Sequence, residues 1–156
     1  MRIQLIAVGT RRPAWERDGF HSYAKRLPRE CALTLVEIPV SRRSPASELA
    51  RQVDREGEHM LRAVAKSARV IALDERGEAC DTRALSARLA SWMRDGRDVA
   101  LLIGGPDGLA PACLRAAESR WSLSSLTLPH GLARIVVAEQ LYRAWSVLTG
   151  HPYHRD

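Results

Sequence analysis

Residues 99–108 read VALLIGGPDG. Five apolar residues without alternation are the pattern of a strand buried on both faces, and this run, the most apolar in the chain, is expected at the centre of a sheet. It passes directly into Gly104, Gly105, Pro106, Asp107 and Gly108. A glycine-rich connection from strand to helix lets the backbone approach a ligand closely. No Lys-Ser/Thr follows and the spacing is not GxGxxG, so the familiar phosphate cradles do not apply. A plain tight turn explains this loop equally well when it is taken alone.

Working outward, residues 2–8 (RIQLIAV), 33–38 (LTLVEI) and 70–73 (VIAL) repeat the pattern of a short apolar run, stopped by Gly9, Pro39 and Asp74 respectively. A fifth strand is expected at residues 122–128, before the Pro-His-Gly turn at 129–131. Helical spacing fills the intervals. Trp15, Gly19, Tyr23 and Leu27 recur between Pro13 and Pro28. Ser44 and Pro45 suit an N-cap and first helical position, followed by a stripe of Leu49, Val53, Met60 and Val64, with Gly57 at the remaining step and Arg51, Arg55, Arg62 and Lys66 facing outward. Residues 75–78 read as a turn. From a cap at Thr82, Leu85, Leu89, Trp92 and Met93 mark a helix ended by Asp95 and Gly96. Further helices are expected at 110–120 and 132–148. Strands alternating with helices imply an α/β fold, a mainly parallel sheet flanked by helices, in one domain spanning residues 1–156.

The charge of +6 is uneven: residues 1–69 hold 14 Lys and Arg against 8 Asp and Glu, while residues 70–156 hold 10 of each. That asymmetry points to a polyanionic partner met by one face, with Arg42 and Arg43, in a Ser- and Pro-containing loop, as candidate phosphate contacts; a solvated linker is the alternative. The three cysteines, Cys31, Cys80 and Cys113, have no CxxC spacing and read as small buried or partly buried hydrophobes. No apolar run reaches membrane-spanning length and no signal-peptide pattern opens the chain, so a soluble cytoplasmic protein is expected.

In an open parallel sheet, ligands bind at the carboxyl ends of the strands, here residues 73–74, 104–108 and 128–131. The stretch SLSSLTLP, residues 122–129, combines small hydroxyl residues with leucines, and as a loop it offers backbone donors and acceptors in an apolar lining suited to a neutral aromatic ring. The last helix carries two apolar stripes, Val137, Leu141, Ala144, Trp145 and Leu148 on one and Ile135, Ala138, Tyr142 and Trp145 on the other, which suggests burial on two sides and a subunit interface. Glu139 and Arg143 stand at i and i+4, spacing that fits a surface ion pair or placement in a cleft. Beyond them the chain ends in His151, Pro152, Tyr153, His154 and Arg155, a composition unlike a frayed terminus. His130, His151 and His154 lack the carboxylate or thiolate companions of a recognised zinc pattern, and no metal is expected. No GxSxG elbow supports acyl-transfer hydrolysis.

LLIGGPDGL at 101–109, WSLSSLTLPH at 121–130 and AEQLYRAWSVLTGHPYHR at 138–155 together resemble the bacterial ribosomal large-subunit RNA pseudouridine N3-methyltransferases of the SPOUT class, as do RIQLIAVGT at 2–10 and EGEHML at 56–61. The resemblance covers essentially the full chain. It implies a trefoil-knotted SPOUT methyltransferase fold, a homodimer, S-adenosylmethionine as methyl donor, and methylation of N3 of a pseudouridine in ribosomal RNA within the assembled ribosome. By position it places cofactor contacts at Leu73, at Gly104 and Gly105, and along Leu123, Ser124, Ser125, Leu126, Thr127 and Leu128. His154 and Glu139 are then candidate bases, Arg143 and Arg155 candidate anion stabilisers, and Tyr153 a stacking or positioning group. Two alternatives are a noncatalytic ribosome-binding module and a small-molecule nucleotide enzyme of ordinary doubly wound fold. The intact Gly104, Gly105 and SLSSLTLP disfavour the first, and the missing phosphate loop disfavours the second.

Overall fold

The computed structural model describes residues 1–41 and 48–154. Its five strands are β1 (Arg2–Val8), β2 (Ala32–Ile38), β3 (Arg69–Ala79), β4 (Val99–Ile103) and β5 (Ser119–Ser122). All pair in parallel, in the order β2-β1-β4-β3-β5. The most apolar strand, β4, is central, and each of its residues is buried.

Alternation along the strands explains why both faces need covering. Ile3, Leu5 and Ala7 of β1 and Val99, Leu101 and Ile103 of β4 point into one core, while Ile6, Val8, Ala100 and Leu102 point into the other. The first core is closed by helices α1 (Ala14–Ala24), α3 (Thr82–Asp95) and α5 (His130–Thr149), and the second by α2 (Leu49–Ala63) and α4 (Pro111–Ala116). The result is the three-layer arrangement expected of strands alternating with helices.

Several expected boundaries move. Residues 75–78 are not a turn, because β3 continues through a bulge between Leu73 and Glu78 and pairs again with β5 at Trp121 and Ser122. Gly77 permits this, since a Cβ there would lie 2.5 Å from the Trp121 backbone. The fifth strand occupies Ser119–Ser122 rather than 122–128, and α4 is correspondingly only Pro111–Ala116. The side chain capping α3 belongs to Asp81, which accepts from the Ala84 N–H at 2.7 Å, not to Thr82. On α2, Leu49 is exposed and Gln52 and Glu56 are buried, so the apolar stripe begins at Val53 and continues through Gly57, Met60 and Val64. Trp15 is also exposed, 59% accessible. The proposed cap at Ser44 and Pro45, and Arg42 and Arg43, lie outside the described residues.

Helix α5 packs against both α1 and α3 of its own chain. Most of its two apolar stripes is buried within the chain, while Ile135 and Trp145 are half-buried and Leu148 is 40% exposed. Gly19 brings α1 close, with Ile135 in the place that a larger side chain would need. Near the start of α5, Arg134 is 3% exposed and its guanidinium donates to Val8 O at 3.0 Å, Gly9 O at 2.7 Å and Glu37 Oε1 at 2.7 Å. One side chain thus ties the helix that follows edge strand β5 to the ends of β1 and β2. Replacing it by Met leaves two buried carbonyls and a carboxylate without their donor. Arg134→Met is expected to lower unfolding free energy by about 3 kcal/mol, read as a lower urea midpoint at unchanged m.

Candidate active site

The carboxyl ends of β3 and β4 and the segment after β5 enclose a cleft of about 550 Å³. This lies within the roughly 300–1,000 Å³ of small-molecule sites. Leu73, Gly104, Gly105, Leu123, Ser124, Leu126, Thr127 and Leu128 all line it. Ser125, the remaining sequence-derived cofactor contact, is exposed and lines the adjoining hollow on the other side of the same segment.

The wall formed by residues 104–108 is a β-turn. Gly108 N–H donates to Gly105 O at 3.0 Å across Pro106 and Asp107, and Gly108 takes φ +85°. Gly104 is required by packing, since a Cβ on it would stand 2.4 Å from the Gly108 carbonyl. The tight turn is therefore observed, and its residues 104–108 line the cleft. Opposite, Ser122 Oγ donates to Ser124 O and Ser124 Oγ accepts from Leu126 N–H, each at 2.9 Å, so the hydroxyls hold an irregular loop instead of extending the strand. Leu126 is left 74% exposed at the rim.

The strand-end segments 73–74 and 104–108 include Asp74 and Asp107, but sequence reasoning missed Glu75 and Arg76 and the charge of this lining. Asp74, Glu75 and Asp107 face the cleft, against Arg76 as the guanidinium among its residues. Asp74 Oδ1 accepts from Arg76 N–H at 2.9 Å, which fixes the bulged segment. Trp121 was missed as well. Its ring lies stacked on Trp92 at 5.4 Å with the Arg88 guanidinium 5.1 Å from its centroid, and its indole N–H has no partner although the residue is 4% exposed. The signal that could have found the carboxylates was their position beside Leu73 and in the turn after β4, next to the segments already expected to meet a ligand.

His130 also lines the cleft, at the start of α5. Burial, followed by the nearby positive charges of Arg12 and Arg134, pushes its imidazole below the ordinary 6.5. Arg12 is itself engaged by Glu16 at 2.6 and 3.0 Å, and the Glu16 carboxylate sits so close to Gly131 that no Cβ could be added there. An anion therefore lies at the N-terminus of α5, where the helix dipole favours it.

The expected reacting groups form a second cluster. Glu139 Oε1 accepts from Arg143 Nε at 2.9 Å and from the Tyr153 hydroxyl at 2.9 Å, with Arg143 Nη2 in contact as well. Gln140 donates to Glu139 Oε2 at 2.7 Å, and the Arg143 guanidinium lies 4.9 Å from the Tyr153 ring centre. The tail reaches this position by reversing at Gly150, φ +66°, after which Tyr153 packs 4.7 Å from Tyr142 and His151 lies 5.9 Å from Trp145. The tail is thus tied down as far as Tyr153. Burial and the hydrogen bond to Glu139 raise the Tyr153 phenol, and the hydrogen bond that Arg143 donates to Glu139 raises Arg143. Tyr153 stays a donor and Arg143 a cation. His154 is half-buried beside this cluster, and Arg155 lies outside the described residues.

None of Glu139, Arg143, Tyr153 and His154 lines the cleft of their own chain. Arg143 stands about 20 Å along the α5 axis from His130. For the same reason His130 cannot share an ion with His151 and His154. Among the described residues, no group of three His, Cys, Asp or Glu is placed to hold a metal, and no helix is long and apolar enough to cross a membrane.

The family model described as "Predicted SPOUT methyltransferase" matches residues 1–154. The chain is 57% identical over 155 residues to the "Ribosomal RNA large subunit methyltransferase H" of Alkalilimnicola ehrlichii, covering 99% of each chain. It is 55% identical over 156 residues to the protein of the same name from Thioalkalivibrio sulfidiphilus, covering 100% of each. Among solved structures it resembles a probable methyltransferase from Bordetella pertussis Tohama I, with TM-score 0.58 and 17% identity over 92% of this chain and 95% of that one. At that identity the likeness shows the fold alone.

The His130 geometry has a measurable consequence. Its imidazole is expected to titrate below 6.5 in an NMR pH series, and so to be neutral at pH 7. Because the unfolded chain binds this proton more readily, the contribution to stability falls as pH drops below the unfolded value.

Proposed function

The chain belongs to the SPOUT methyltransferase family, and from that premise we propose that it methylates N3 of a pseudouridine in large-subunit ribosomal RNA, using S-adenosylmethionine, on the assembled ribosome. The substrate class is supported by the two relatives of 55–57% identity over full length, both named as ribosomal RNA large subunit methyltransferases. The observation that carries the reading is the sign of the cleft. Three carboxylates, Asp74, Glu75 and Asp107, and one guanidinium, Arg76, line it, which opposes a di- or triphosphate and suits a sulfonium and an ammonium group. Leucines and backbone groups of residues 123–128 suit a neutral adenine, and the unpartnered Trp121 N–H at the wall offers a donor. The residues present thus fit the cofactor. The family's trefoil knot, in which the C-terminal segment passes through a loop, would hold this cleft between the strand ends and α5.

When bound, S-adenosylmethionine supplies an electrophilic methyl whose transfer needs an in-line nucleophile and exclusion of water. The chain's own residues must then align the acceptor nitrogen and remove its imide proton. Glu139 is saturated by Arg143, Tyr153 and Gln140, so it acts as the anchor of this cluster. Of the remaining tail groups, this reading takes His154 as the base, Arg143 and Arg155 as the cations that stabilise the developing anion, and Tyr153 as a positioning group.

The roughly 20 Å between Arg143 and His130 along α5 supports a homodimer in which the tail of one subunit completes the cleft of the other. A cytoplasmic location follows from a ribosomal substrate. The basic N-terminal half supplies the attraction for RNA.

Labelled methyl from S-adenosylmethionine is expected on ribosomes that lack the modification, and nucleoside mapping should place it on N3 of a pseudouridine. Label on another base, or none, would overturn the reading. The dimeric site has its own test. Gly104→Ala, defective in the cleft, and Tyr153→Phe, defective in the tail, are each expected to lose activity, and mixing and re-equilibrating the two should restore part of it. Mixed protein as inactive as its components would show that each cleft uses its own tail.

A further inference from the structure

Arg26 stands two residues past the end of α1, in the basic N-terminal half of the chain. Its place in the fold follows from the direction of α1, which packs along α5. Arg12, just before α1, acts electrostatically on His130 at the start of α5, while Arg26, just after α1, reaches Tyr142 near its end. The two helices therefore run side by side in the same sense, and Arg26 comes to the tail end of α5 rather than the cleft end. The backbone there is fixed. Arg26 N–H donates to Tyr23 O at 3.0 Å and Leu27 N–H to Ala24 O at 3.2 Å, and the Leu27 side chain is buried.

The Arg26 guanidinium lies over two rings, 5.2 Å from the centre of Tyr23 and 5.7 Å from that of Tyr142. Tyr142 is in turn 4.7 Å from Tyr153, and Arg143 is 4.9 Å from the Tyr153 ring centre. Two cations and three tyrosines are thus packed together at the tail. The cations differ in what they have left to give. Arg143 is ion-paired with Glu139, which Tyr153 and Gln140 engage as well. Arg26 is exposed and makes no ion pair or side-chain hydrogen bond among the described residues. A cation–π contact draws on the charge of a guanidinium and consumes none of its five N–H donors. What remains is a planar cation, restrained by aromatic neighbours, with its donors open to solvent. That combination suits a phosphate group, whose oxygens match the fork of donors, and the restraint lowers the entropy cost of the contact.

We propose that Arg26 is a positioning residue that binds a backbone phosphate of the substrate RNA beside the methylated nucleotide, so that the acceptor base is presented to the tail cluster. This rests on the reading of the substrate as ribosomal RNA and of the tail as the reacting end. Arg26 touches the RNA backbone and none of the reacting atoms.

The test compares Arg26→Met with Arg26→Lys in binding to, and methylation of, ribosomes lacking the modification. Arg26→Met keeps an apolar stem against the tyrosines and removes the charge and the donors. Its KM for ribosomes is expected to rise roughly tenfold while KM for S-adenosylmethionine stays unchanged, and the slope of log Kd for ribosomes against log salt should flatten by roughly one. Arg26→Lys keeps the charge, so its salt slope should equal that of the unaltered protein and most of the loss in KM should be recovered. An unaltered salt slope in Arg26→Met, with the defect confined to kcat or to a lower unfolding midpoint, would reduce Arg26 to a packing residue of the tyrosines and overturn the proposal. Equal rises in both KM values would overturn it too, by placing the defect at the cleft. Unaltered protein that neither binds nor methylates these ribosomes would instead remove the RNA reading on which the proposal stands.

Discussion

The guanidinium of Arg134 is enclosed at 3% exposure by oxygens of Val8, Gly9 and Glu37, and the path of the last helix depends on that enclosure. Helix α5 follows β5, which forms one edge of the sheet, yet it must cover β1 near the other edge. Apolar packing against α1 and α3 holds its flanks but is tolerant of sliding. The guanidinium is not, because three directed hydrogen bonds to strand-end oxygens set both register and angle. With α5 set in this way, His130 and Ala133 reach the cleft, and the end of the helix carries Arg143 far from it.

An all-parallel sheet puts every carboxyl end on one side, so a cleft at that side needs only loops that leave room. Here the room comes from two devices of opposite character. Glycines let residues 104–108 fold flat against themselves, and a bulge in β3 lifts Asp74 to Arg76 out of the ladder to form a charged wall. The same bulge returns the strand to pair with β5, which keeps Trp121 locked between Trp92 and Arg88. Loop freedom at the cleft is thus bounded on each side by rigid packing.

The tail cluster obeys a different logic. Glu139, Arg143 and Tyr153 bind one another, and the aromatic contacts of Tyr142, Trp145 and His151 hold the reversed chain against α5. Such a cluster presents a pre-ordered cation and phenol without the entropy cost of gathering them from a loose terminus. In the homodimer proposed above it is a rigid insert offered to another chain's cleft.

Much of this was legible in residue order alone. Short, mostly apolar runs, each stopped by Gly, Pro or Asp, located β1, β2, β4 and the first part of β3, because strands of a covered parallel sheet favour apolar side chains and a turn needs a special backbone. The three loops of the cleft followed from strand polarity. The remaining features depend on partners remote in sequence. β3 runs past Leu73 only because β5 is there to receive it, the segment after Ser122 turns away from strand geometry because the hydroxyls of Ser122 and Ser124 find local backbone, and α2 buries Glu56 only because Ser41 and Gly105 lie against it. The sequence determined which residue types stand at the strand ends and in the tail. Tertiary structure decided that these lie apart along α5, since a helix rising about 1.5 Å per residue converts a separation of a few turns into a distance that no side chain spans.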